Sequence, residues 1–241
     1  MADQETKPTS GPAPAWGVHL FTASGVVLAL LSLAALDRGD ERMALLWLVI
    51  AVAIDGVDGT LARAARVKTR LPRIDGDALD LVIDYLTYVF IPAVLVWRGD
   101  YLPAPLALPL TALILLSSLY VFARRDMKTD DGYFRGFPAL WVLVAFYFVL
   151  IPIPPAAAAA IVAALVVLTF APIHVIHPFR VRDYGVWPPL VTLAGTAAFI
   201  GLLLPGASEA IAPWLVAATV AAVAILFVMG IVRTLRGPKA Q

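Results

Sequence analysis

The 241 residues are 61% hydrophobic and only 15% charged, with no cysteine, and their mean hydropathy is +0.87. A soluble domain carries about 25% charged residues, so this much apolar surface must lie in lipid, and the absent thiols exclude disulfides, thiolate metal sites and cysteine nucleophiles. The net charge of +1 says little about partners, because in a membrane protein the distribution of charge matters more than its sum; no nucleic-acid partner is expected.

In chain order, residues 1–15 (MADQETKPTSGPAPA) are polar and rich in Pro, Gly and Ala. They lack the basic-then-apolar pattern of a cleaved signal peptide and predict a disordered cytoplasmic tail, which leaves 16–235 as a single transmembrane catalytic domain. A membrane helix needs about 20 mostly apolar residues. Eight segments meet or approach that standard: 17–36, 43–66, 75–97, 103–123, 137–152, 156–173, 186–204 and 214–232. Polar loops separate them, notably DRGDER at 37–42, ARRDMKTDDGYFRG at 123–136 and HPFRVRDYG at 177–185. Pro152, Pro154 and Pro155 end the fifth segment. The fold class expected is all-α, a polytopic bundle of eight membrane helices.

The basic residues orient that bundle. With the amino terminus inside, fifteen of the 18 Lys and Arg fall on the cytoplasmic side, and only Arg38, Arg42 and Arg98 lie opposite. So lopsided a split fits the positive-inside rule. It predicts both termini and the ends of the second and third helices in the cytoplasm.

Acidic residues concentrate in one stretch, DGVDGTLARAARVKTRLPRIDGDALDLVID, from Asp55 to Asp84. An ionisable residue inside a membrane segment is costly and marks a functional site by default. Residues three or four apart share a helix face. Asp55 and Asp58 therefore pair near the end of the second helix, and Asp80 and Asp84 near the start of the third. Joined by a short connection, the two pairs can meet, and four carboxylates together repel unless cations lie among them. Oxygen ligands in this number suit Mg²⁺ or Mn²⁺. Gly59 and Gly76 let a ligand or backbone approach closely, and Arg63 can hold a phosphate with two hydrogen bonds. Asp75 and Asp77 point to other faces and read as helix N-terminal residues favoured by the macrodipole.

The pattern Asp58-Gly59-x-x-Ala62-Arg63 … Gly76-x-x-x-Asp80-x-x-x-Asp84, with Asp55 three before, resembles the signature of the CDP-alcohol phosphatidyltransferase family. Common members have eight residues between the Arg and the second Gly. Here twelve separate Arg63 from Gly76, similar to the bacterial members that use choline, as are the segments YFRGFPALW at 133–141 and HPFRVRD at 177–183. The resemblance implies a bacterial inner-membrane enzyme that joins CDP-diacylglycerol to choline, releases CMP and leaves phosphatidylcholine. It implies two Mn²⁺ or Mg²⁺ ions on Asp55, Asp58, Asp80 and Asp84, with Asp84 also the general base. Gly59, Ala62, Arg63 and Gly76 would bind the nucleotide. A homodimer is compatible with this picture.

The acceptor is read less directly. Choline calls for aromatic faces around its ammonium; Tyr85 and Tyr88 follow Asp84 on the third helix, and Trp141, Tyr147 and Phe148 lie on the fifth. Interfacial belts also use Tyr and Trp. His19 lies near the inner end of the first helix and could approach the nucleotide. His174 and His177, with Arg180 and Arg182, read as interfacial anchors beside the inner leaflet, the alternative being contact with lipid headgroups or the CMP phosphate. Serine, glycerol phosphate or inositol phosphate are the alternative acceptors. An ion-coupled transporter is the rival from another class; it would call for repeats and helices broken near mid-membrane, and the sequence shows neither.

Overall fold

The computed structural model describes residues 13–204 and 210–238. Among them run eight apolar helices: α1 Ala13–Asp37, α2 Glu41–Ala64, α3 Gly76–Arg98, α4 Ala104–Ala123, α5 Trp141–Leu150, α6 Pro155–Phe170, α7 Trp187–Leu203 and α8 Ala212–Arg236. The chain is a polytopic, all-α membrane protein. Helix α1 starts at Ala13, inside the stretch expected to be a tail; the first twelve residues of that stretch, and 205–209 of the last loop, lie outside the described residues.

Five helices, α1 to α4 and α8, are long and apolar enough to cross a membrane by length and composition. Helices α5, α6 and α7 have 10, 16 and 17 residues, short of the lengths expected for them. The fifth loses its start because Gly136 (φ +79°) and Ala139 (φ +58°) hold the chain out of helical geometry. There it crosses the end of α6, and the Phe137 N–H donates to the Leu168 carbonyl at 3.0 Å.

Without a hydrophobic force between helices in lipid, small residues allow the close approach that dispersion requires. The buried face of α1 follows that rule with Ala15, Gly25, Ala29, Ser32 and Ala35. Ser32 donates to the Ala44 carbonyl of α2 (2.9 Å), and a Cβ on Gly25 would lie 2.6 Å from Ile83 of α3. Helix α3 is thereby clamped beside α1 and α2 just before Asp84. At the far end of these helices Arg98 donates to Asp37 and Tyr101 to Glu41.

A small sheet was not expected. Strand β1 (Tyr133–Arg135), in the loop after α4, pairs antiparallel with β2 (His174–Ile176), after α6. Helix α8 holds this sheet: Arg233 donates to Asp131 at 2.6 Å with both side chains largely buried, and Thr234 accepts from the His174 N–H at 2.8 Å. A Cβ on Gly230 would strike the His174 carbonyl.

Gly136 is a sharp test of this packing, since a Cβ there would collide with the Thr169 carbonyl in a conformation that L-residues avoid. Gly136→Ala is expected to cost about 2–4 kcal/mol, read as a drop of several degrees in thermal unfolding in detergent. Gly17→Ala, where nothing lies within 4 Å, is the control expected to hold or rise. Equal midpoints for the two variants would contradict the close approach.

Candidate metal centre

Helices α2 and α3 meet through Asp55, Asp80 and Asp84. Each offers one carboxylate oxygen, and the three oxygens lie within 4.8 Å of one another. The i, i+4 spacing of Asp80 and Asp84 aligns them on one face of α3, opposite Asp55. Asp75 caps that helix, accepting from the Asp77 and Ala78 N–H groups at 3.1 Å, as its position predicted. Asp77 pairs instead with Lys68 in solvent.

The expected group of four is gathered as three. Asp58, 6% exposed, lies one turn beyond Asp55 and takes a hydrogen bond from Thr22 of α1. It stays within the electric field of Asp80 and Asp84.

The donor set fits a small divalent cation. Three carboxylate oxygens gathered within 4.8 Å are the hard donors that Mg²⁺ or Mn²⁺ would take. Asp84 Oδ1 is buried with no hydrogen-bond partner among the described residues, an orphaned acceptor of the kind a metal satisfies.

Directly after Asp84, α3 departs from α-helical geometry. Tyr85–Phe90 form a π segment. Pro92 has no N–H to give, and in a regular helix its ring would strike the carbonyl of Tyr88, so the preceding turn widens. Such segments frequently occur at functional sites. Here Thr87 takes up slack by donating to the Ile83 carbonyl (3.0 Å), and the Tyr88 hydroxyl donates to Asp55 Oδ2 at 2.7 Å. Tyr88 is thus the one predicted acceptor residue, among those described, that reaches the carboxylates. Tyr85 points to α4, donating to the Leu115 carbonyl (3.0 Å). Trp141 is 1% exposed in the core and donates to Ser118 (2.9 Å). Tyr147 is edge-on to Phe146, its hydroxyl beside Thr219 of α8.

The predicted nucleotide residues line an open face. Gly59 is exposed and Ala62 half-exposed, while Arg63 folds back to donate to Thr60 (3.0 Å). Gly76 lies under the ring of His19, whose Cε1 would be 3.1 Å from a Cβ there, so α1 reaches the motif as its sequence position suggested. The long spacer contains a four-residue helical turn, Val67–Arg70, anchored by buried Val67. Its length equals the excess over the common spacing.

Sequence reasoning gave Lys128, beside the sheet, no role. Lys128 bridges to Phe134 with its Nζ 5.2 Å from that ring's centroid, and Phe134 stacks on His177 at 5.3 Å and 12°. Lys128 is within electrostatic reach of Asp84, Asp55 and Asp80. Phe134 and His177 lie in the segments at 133–141 and 177–183, a signal that had no role attached, and Lys128 lies in the loop just before the first of them.

Residues 18–173 match the CDP-alcohol phosphatidyltransferase family. The chain is 51% identical to a phosphatidylcholine synthase of Pseudomonas aeruginosa over 71% of its own length and 72% of that protein. It is 49% identical to one from Bradyrhizobium diazoefficiens over 70% and 63% respectively, and 35% identical to one from Rhizobium meliloti over 90% of both chains.

Burial, then Lys128 and Arg180, pushes the His177 imidazole down to about 4, against about 6.5 for a free histidine. Between those values the unfolded chain binds the extra proton, so stability falls as pH drops from about 6.5 toward 4. We expect the unfolding midpoint of wild type to decline across that window more steeply than that of His177→Gln. Parallel pH curves would show that His177 is not held neutral.

Proposed function

The chain belongs to the CDP-alcohol phosphatidyltransferase family, and from that premise we propose that it condenses CDP-diacylglycerol with choline, giving phosphatidylcholine and CMP. The observation that carries this reading is the meeting of Asp55, Asp80 and Asp84 at the family's motif positions. The phosphatidylcholine synthases among its relatives support choline as the acceptor.

Asp55, Asp58, Asp80 and Asp84 would hold two ions, Mn²⁺ or Mg²⁺, Asp58 from one turn beyond the trio. Bound metal would supply charge neutralisation at the transferring phosphate and at the departing CMP. Asp84, whose Oδ1 has no hydrogen-bond partner among the described residues, takes the proton of the choline hydroxyl. The freed oxygen forms a bond to the lipid-side phosphorus as that phosphorus parts from the CMP oxygen, which leaves with the bonding pair. Tyr88 keeps Asp55 oriented and offers its ring to the choline ammonium. Gly59, Ala62, Arg63 and Gly76 bind the nucleotide.

The domain 16–235 is catalytic throughout, crossing the inner membrane of a bacterium eight times with both termini and the site in the cytoplasm. The uneven split of Lys and Arg supports that orientation. It admits the water-soluble alcohol and cytidine nucleotide from one side while the acyl chains stay in lipid.

Purified protein with CDP-diacylglycerol, labelled choline and Mn²⁺ is expected to release CMP and form labelled phosphatidylcholine. Product with serine but none with choline would overturn the acceptor; no CMP with any alcohol would overturn the reaction. Asp84→Asn should lower turnover by at least about 10²-fold while retaining CDP-diacylglycerol binding better than Asp58→Asn. Equal loss of binding would refute that division of roles. Tyr88→Phe should weaken Mn²⁺ by about tenfold, the effect of losing an outer-shell partner, measured by calorimetric titration without substrate.

A further inference from the structure

A phosphate in transfer carries negative charge on oxygens that face away from its metals as well as toward them, and stabilising them takes fixed positive groups opposite. The structure holds such groups, and the carboxylate motif does not account for them. Lys128 is half-buried, yet among the described residues no carboxylate lies within 4.0 Å of its ammonium and no hydrogen bond ends on it. A lysine in a polar loop normally extends into water. This one is folded inward over Phe134, held there by the bridge between residues 128 and 134.

Arg180 is brought to the same place from the other loop. Gly132, at φ +89°, turns the first loop so tightly that a Cβ would stand 3.0 Å from Arg180 Cβ, and His177, stacked on Phe134, packs between the two loops. Cations are thus gathered beside one another, next to a trio of acids with which they make no ion pair. Burial and then Arg180 lower the Lys128 pKa, against Asp84, Asp55 and Asp80, which raise it. Choline is a cation that two positive side chains repel. The donor carries two phosphates.

We propose that Lys128 and Arg180 form a phosphate clamp that holds the diphosphate of the CDP-lipid against the carboxylate centre, with the stacked Phe134 and His177 as its floor. This rests on the phosphatidyl-transfer reading above. Lys128 contributes a mobile point charge and Arg180 a two-pronged donor, both carried by the loops that flank the β1–β2 sheet rather than by the membrane helices.

The test first establishes that wild type makes phosphatidylcholine from CDP-diacylglycerol and choline; failure there sinks the reaction and not the clamp. Kinetic constants are then taken for Lys128→Gln, Lys128→Arg and Arg180→Gln, together with equilibrium binding of CDP-diacylglycerol and of CMP. Expected are a 10- to 100-fold rise in KM and in dissociation constant for CDP-diacylglycerol in Lys128→Gln and Arg180→Gln. The KM for choline should change less than threefold, and Lys128→Arg should recover most of the loss. A parallel loss for CMP assigns the clamp to the nucleotide-side phosphate, and a loss confined to CDP-diacylglycerol assigns it to the lipid-side one. Arg125→Gln, exposed on the same loop, should leave every constant unchanged. If the KM for choline rises instead, or if CDP-diacylglycerol binding is unaffected in well-folded variants of both residues, the proposal is wrong.

Discussion

Three carboxylate oxygens within 4.8 Å of one another, set in the end of an apolar bundle, cannot all carry charge without help. At an effective dielectric near 20 each ionised pair repels by at least about 3 kcal/mol, comparable to a sizeable part of a domain's net stability. The surrounding structure is arranged around that repulsion. Thr22 draws Asp58 toward α1, Tyr88 donates to Asp55, and Lys128 lends distant positive charge. Asp84 Oδ1 is left without a hydrogen-bond partner among the described residues. The remaining deficit is what divalent ions and a phosphate would fill.

Holding such groups still requires helices that approach closely and do not slide. Gly25 against Ile83 and Ser32 against the Ala44 carbonyl lock α1, α2 and α3 into one unit. The π segment adjusts the rotation of α3 so that Asp84 faces α2 while Tyr85 faces α4 and Tyr88 returns to Asp55. Scaffold and site therefore meet at a single point along α3, where helix geometry changes.

Much of this was legible in the residues. Apolar runs located the eight apolar helices among the described residues, because in lipid a helix must satisfy its own backbone, and the Asp spacing anticipated the meeting of Asp55, Asp80 and Asp84. What escaped has physical reasons. Asp58, three after Asp55, is rotated about 60° from it around α2, and with α1 alongside that was enough to send it to Thr22. Trp141 had the chemistry for choline, but its indole N–H found Ser118 in the core. Strands β1 and β2 have three residues each and lie far apart in sequence, too short for any alternation to show. Lys128 resembled any loop lysine until the fold placed the second loop beside it.

The grip of α8 on the β1–β2 sheet bears on biosynthesis. Arg233 and Asp131 are 102 positions apart, and Thr234 and His174 are 60 apart. A nascent chain emerging residue by residue would thus have its acidic motif embedded long before the last helix arrives to brace the basic loops. Prematurely terminated chains would then carry the whole metal-ligand set yet lack the brace, so translation itself delays the assembly of a finished site until the final helix is inserted.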